Sequence, residues 1–185
     1  MEHIDLNDPL YVKQSLLEKS LNNKNCFDCG ATYPSHVSIN NGILICENCA
    51  SVHKTLSHHV SYVRSLNDPW DKYLWYFMER GGNHQLSIFL ERFFPVEITL
   101  QNPDITSVYN CPIEMRYKSV ILDFYRKQLK SEVLMEELPA MPDYSILMNQ
   151  CAIEEVSPNS RIINYMKALW FSCQIQKWEQ NNWRI

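Results

Sequence analysis

A chain of 185 residues, 45% apolar and 12% aromatic, carries core-forming material for one domain with an extension or for two small domains, and its composition as a whole lies far from the disordered range. The net charge of −4 excludes a global positive field that would draw the protein to nucleic acid or anionic lipid. No apolar run approaches the roughly 20 residues of a membrane-spanning helix, and "MEHIDLNDPLYVKQ" has neither a basic n-region nor an apolar h-region; with seven cysteines, an odd count, the expectation is reduced thiols in an intracellular setting, cytoplasmic by default.

Residues 9–24, "PLYVKQSLLEKSLNNK", place Leu10, Leu16, Leu17 and Leu21 near helical spacing and predict a short amphipathic helix. "HVSI" and "GILIC" are β-prone pieces on either side of "NNG", a hairpin signal. A helix is expected from Glu47 through about His58. The stretch "NDPWDKYLWYFMERGGN" opens with helix-start residues and closes on Gly81-Gly82, so it predicts a helix with Trp70, Leu74, Phe77 and Met78 turned inward. Another helix follows Asn83 and ends near "FFP", before a loop over about residues 95–110. "MRYKSVILDFYRKQLK" reads as one helix with Val120, Ile121, Phe124 and Leu129 inward. Residues 131–160, with Pro139, Pro142 and Pro158, read as mostly irregular. "SRIINYMKALWFSCQIQKWEQNN" predicts a last helix, apolar on more than one face. Repeats and low-complexity tracts are absent from the sequence.

Cys26, Cys29, Cys46 and Cys49 follow the spacing C-x2-C-x16-C-x2-C. Two knuckles that each offer two thiolates close a tetrahedron around one Zn2+ ion, which prefers sulfur and suits a closed structural site. Gly30 and the hairpin between the pairs supply the tight turns required. Cys111, Cys151 and Cys173 lack such partners and read as core residues. GATA-type DNA-binding fingers use nearly the same spacing but need a basic helix and tail, whereas residues 50–66 hold only Lys54 and Arg64 as fixed cations. Nucleic acid is therefore not the expected partner.

Taken with "CFDCG", Asn40 and Gly42 before "ILICENC", His53, "HHVSYVRSL", Trp70 and Gly82-Asn83, the cysteine pattern resembles the ArfGAP domain, a zinc module that stimulates GTP hydrolysis by Arf-family small GTPases. "VYNCPIEMRYKSVILDFYRKQL" resembles the pattern that follows the core in the Golgi-type branch. The resemblance covers about residues 10–130 and leaves 131–185 as a C-terminal extension with a Trp-rich helix. It implies an α+β fold: a small zinc-stapled sheet, three-stranded or a hairpin, surrounded by helices. Four departures accompany it. The family's catalytic arginine, five residues after the fourth cysteine, is here Lys54; a tryptophan of the hairpin segment is His36; a glycine is Ser57; and "SLNDPW" is one residue short.

On the expected helix Val52 and Leu56 share an inner face, and Lys54, about 200° around from Val52, projects outward where an arginine finger would stand. A finger lays a planar guanidinium against two oxygens of the transferring phosphoryl group and contributes on the order of 10³ to 10⁵ in rate, about 4 to 7 kcal/mol. A lysine ammonium brings the charge without the rigid fork. The resemblance assigns Arg64 and His53 to fold support or partner contact. Because four thiolates already complete one zinc site, His53, His58 and His59 read as packing and helix-end hydrogen-bonding residues rather than a second metal site. The expected function is a catalytically impaired ArfGAP-like module serving as a binding or structural subunit of a larger assembly, organellar assemblies included. The alternative is an active GTPase activator that uses Lys54.

Overall fold

The computed structural model describes residues 5–93, 104–105 and 110–140, all within the unit Met1–Pro142. The expected last helix, most of the loop at 95–110 and the proline-containing stretch beyond residue 140 lie outside the described residues. Helix α1 runs Pro9–Glu18, with Pro9 in its first turn and the Asp8 carboxylate accepting from Leu10 N at 2.9 Å. It stops six residues short of the expected end. Ser20 adopts an extended conformation, and its hydroxyl accepts from Asn22 N to open a separate 3-10 turn, Leu21–Lys24. The buried stripe is Val12 and Leu16, one turn apart, whereas Leu10 and Leu21 are 70% and 78% exposed. Lys19, just past the helix, sends its ammonium across the molecule to the carbonyls of Met78, Glu79 and Gly81.

Three short strands follow: β1 (His36–Ser38), β2 (Ile43–Ile45) and β3 (Val63–Ser65), all antiparallel in the order β2-β1-β3. The hairpin pairs His36 with Ile45 and Ser38 with Ile43; β1 also pairs His36 with Ser65 and Ser38 with Val63. Its turn is a 3-10 segment, Ile39–Asn41, closed by Gly42 at φ 62°. Only glycine fits there for two reasons. The conformation is left-handed, and a Cβ would lie 2.9 Å from Gly81 Cα; a Cβ on Gly81 would in turn lie 2.7 Å from Gly42 Cα. The hairpin tip thus rests backbone to backbone on the next helix, and Gly82 N donates to Gly42 O at 2.6 Å.

Helix α2 spans Glu47–His53, shorter than the sequence suggested, because Lys54 caps it and the chain turns through Leu56 N→His53 O and Val60 N→Ser57 O. Leu56 is buried as expected, but Val52 is 42% exposed and faces solvent. Helix α3 (Lys72–Arg80) starts on Asp71, whose carboxylate accepts from Leu74 N at 2.8 Å, and Trp70, Leu74, Phe77 and Met78 all point inward as the pattern required. Helix α4 is Asn83–Arg92.

The single helix expected over residues 115–130 is two: α5 (Ile113–Lys118) and α6 (Val120–Leu134). Ser119 breaks it. With ψ at 151° its hydroxyl donates to Arg116 O at 2.7 Å and accepts from Leu122 N at 3.4 Å, ending one helix and capping the next. The break turns Val120 outward, at 39% exposure, while Ile121, Phe124 and Leu129 remain buried. Core residues from the hairpin (Val37, Ile43, Leu44, Ile45) and from α5 and α6 (Tyr117, Ile121, Leu122) are all fully buried. The fold is α+β, a three-stranded sheet ringed by helices.

Candidate metal centre and its surroundings

The two knuckles are built by backbone geometry. In the first, Gly30 N donates to Cys26 O at 2.9 Å, Cys26 N donates to Ala31 O at 2.7 Å, and Gly30 takes φ 73°. In the second, Cys46 is the N-cap of α2: its Sγ accepts from Cys49 N at 3.5 Å and its carbonyl accepts from Ala50 N at 2.8 Å. Turn and cap bring the four Sγ atoms within 4.8 Å of one another, with Cys29 and Cys46 at 3.6 Å. Tetrahedral zinc with Zn–S near 2.3 Å requires sulfurs about 3.8 Å apart, so the donor set fits. Burial pushes the Cys26 thiol up to about 11 and the Cys49 thiol higher still. Four ionised sulfurs at this spacing need a dication between them, and four thiolates leave zinc no open position. Such a centre supports structure rather than chemistry.

Asp28, inside the first knuckle, carries a second construction that the sequence reading did not find. Its side chain is 2% exposed. Oδ1 accepts from Arg116 Nη1 at 2.8 Å and from the Tyr117 hydroxyl at 2.9 Å; Oδ2 accepts from His53 Nε2 at 3.0 Å. Because a carboxylate offers only lone pairs, Nε2 carries the proton of that bond. His53 Nδ1 lies 2.7 Å from Ser61 Oγ, which lies 2.8 Å from Ser38 Oγ on the hairpin. Arg116 also donates to Cys111 O at 2.9 Å. Burial, with the Asp28 charge next in weight, pushes the Tyr117 phenol well above the usual tyrosine range and keeps it a donor. His53 is fully buried, so it ties α2 to the knuckle and the sheet and presents nothing to a partner surface. The available signal was an acid inside a CxxC loop, followed far downstream by an Arg-Tyr pair.

Lys54 is exposed at the C-cap of α2. Burial and, after it, the Lys54 charge hold the half-buried His36 imidazole below its ordinary range, opposed by Glu47 and Asp68. The two substituted positions, 36 and 54, are therefore within electrostatic reach of each other. His36 Nδ1 pairs with Ser35 Oγ at 2.9 Å. Arg64, with 23% of its side chain exposed, stands opposite Val37 on the strand paired with β1: Nη2 donates to Pro69 O at 3.0 Å, Nη1 to the Tyr62 hydroxyl at 3.3 Å, and Nε lies 3.7 Å from Asp68. These bonds hold the loop after β3. His58 and His59 are exposed, with their carbonyls tied down by Asn40 Nδ2 at 3.2 and 2.9 Å. Among the described residues the four cysteines are the one cluster with metal-ligand geometry.

Residues 12–124 match the ArfGap family model, described as "Putative GTPase activating protein for Arf". ADP-ribosylation factor GTPase-activating protein 3 of Macaca fascicularis is 31% identical over 138 residues, covering 74% of this chain and 24% of that protein. ADP-ribosylation factor GTPase-activating protein AGD12 of Arabidopsis thaliana is 38% identical over 93 residues, 49% of this chain and 27% of that one. The chain thus spans about a quarter of the length of these curated relatives. A solved structure from Cryptosporidium parvum, described as "putative GTPase activating protein for ADP ribosylation factor", superposes with a TM-score of 0.53 at 23% identity, over 65% of this chain and 90% of that one. That likeness is one of fold.

Proposed function

The chain belongs to the ArfGap family, matched over residues 12–124, and we propose that it is a catalytically impaired member that keeps the partner-facing surface of a GTPase activator without its chemistry. The observation that carries this reading is Lys54, an exposed lysine at the end of α2, five residues beyond the last zinc-site cysteine, where the resemblance puts the arginine finger. An ammonium meets a developing phosphoryl charge at a point. A guanidinium meets it with a planar pair of donors, and finger contributions on the order of 10³ to 10⁵ in rate rest on that fit. The His36 position, within electrostatic reach of Lys54, replaces a broad indole with a smaller ring. We assign zinc held by Cys26, Cys29, Cys46 and Cys49 to structural support, and Arg64 to holding the loop that borders the partner face. His53 acts through Asp28 as a positioning residue.

The partner in this reading is an Arf-family GTPase or a subunit of a larger assembly, met in the cytoplasm. In this reading residues 10–130 form the ArfGAP module, of the Golgi-type branch, and residues 131–185 a C-terminal extension into which α6 continues as far as Leu134. The test is single-turnover GTP hydrolysis by an Arf-family GTPase, with the chain as it stands and with Lys54→Arg. The expected result is hydrolysis near the intrinsic rate with the unmodified chain and acceleration of about 10³-fold or more with the arginine. Stimulation by the unmodified chain that Lys54→Ala abolishes would replace this reading with an active, lysine-using activator, which the exposure of Lys54 favours. If neither form accelerates hydrolysis, the docking surface is gone as well and a purely structural subunit remains.

A further inference from the structure

A groove of about 530 Å³ lies on a surface to which no role has been given. Its floor is apolar: Ile39 of the hairpin turn and Leu74 and Phe77 of α3. Tyr73, 47% exposed, stands edge-on to Phe77 at 5.1 Å between ring centres and forms one wall. His58 and His59 also line it, as do Lys127 and Lys130 of α6. The rim carries excess positive charge. Asp123 is the one carboxylate among the lining residues, and it is shared by Arg126 at 3.5 Å and Lys127 at 2.8 Å. Lys130 has no carboxylate partner among the described residues. Three fixed cations against one carboxylate leave a local charge of +2 in a chain whose net charge is −4.

We propose that this groove docks a short acidic peptide segment of a protein partner, with one aromatic or aliphatic side chain seated over Leu74 and Phe77 and carboxylates reaching Lys127 and Lys130. Charge complementarity selects the acid, and the apolar floor selects the anchor. A concave floor sunk between a helix and a turn suits an inserted side chain. A bilayer surface instead favours a protruding apolar face. A sugar phosphate would leave its oxygens unpaired against Ile39 and Phe77. The proposal does not depend on Lys54 or on GTP hydrolysis.

The test selects short random displayed peptides on the full zinc-loaded chain, and in parallel on the double variant K127E/K130E. The expected result is enrichment of peptides in which Asp or Glu flank one Phe, Leu or Trp. A fluorescein-labelled consensus peptide is expected to lose about tenfold in affinity on K127E/K130E and severalfold on Tyr73→Ala, to weaken as salt rises, and to keep its affinity on the control Lys24→Glu. Should charge reversal beside Asp123 lower the melting temperature, K127Q/K130Q carries the same comparison with a smaller loss. Enriched peptides without an acidic bias, affinity retained on both lysine variants, or no enrichment would overturn the proposal. So would sedimentation of the chain with phosphatidylserine vesicles, lost on K127E/K130E, when no peptide is retained: that outcome makes the groove rim a lipid-binding surface.

Discussion

Replacing Asp28 by alanine removes a carboxylate that three side chains reach, Arg116, Tyr117 and His53, each within 3.0 Å. The heaviest consequence falls on Arg116, whose side chain is 2% exposed and loses its one counter-ion among the described residues. Breaking a buried pair from one side costs about 3 to 5 kcal/mol, because the remaining charge stays desolvated. For a module of this size that corresponds to a fall in melting temperature of about 10 to 20 °C. Arg116→Met should cost less, since a flexible apolar side chain fills the space and the carboxylate keeps two donors. The informative measurement is the double-mutant cycle, read by denaturant unfolding with zinc in excess. Asp28→Ala with Arg116→Met together should be milder than the sum of the two alone by more than 1 kcal/mol, since the second change removes the charge that the first leaves stranded. Additivity to within about 0.5 kcal/mol would refute the account of Asp28 as the centre of a coupled network.

Zinc binding strips protons from the cysteines, and burial has pushed the Cys26 thiol up to about 11, so at neutral pH the metal must displace a proton there. Zinc affinity should therefore fall steeply from pH 8 to pH 6 in competition with a chromophoric chelator; a flat profile would mean that the thiols are already ionised. Ser119→Ala deletes the hydroxyl that ends α5 and caps α6 and should cost about 1 to 2 kcal/mol in thermal unfolding. A loss within 0.3 kcal/mol would show that the backbone makes this corner unaided.

The elements that spoke through spacing were legible. Four cysteines at C-x2-C intervals announced their tetrahedron, and Trp70, Leu74, Phe77 and Met78 announced the buried side of α3. The boundaries were less so, because each depends on what one hydroxyl or turn does. Ser20 and Ser119 look like ordinary helix-surface residues until their hydroxyls are seen bonding to the backbone, and each splits a helix that apolar periodicity alone would continue. Val52 shows the limit of a helical wheel. It sits at the right angle to face inward, yet α2 is two turns long and ends before anything covers it. Asp28 was hidden for a different reason: its partners lie about 25 and 88 residues away in the sequence, and no periodicity connects them.

The meeting of Gly42 with Gly81 bears on how such a module tolerates change. Much of its interior is made of aliphatic side chains, and such positions accept exchanges among Ile, Leu, Val and Met of similar volume at costs usually below about 1.5 kcal/mol. The seam where the hairpin tip touches the end of α3 has no side chains to exchange, since backbone meets backbone with under 3 Å left for any added carbon. Drift in sequence can therefore rewrite the aliphatic part of the interior step by step. At residues 42 and 81 there is no intermediate to pass through, and any first step prises the two-stranded tip away from the helix it leans on.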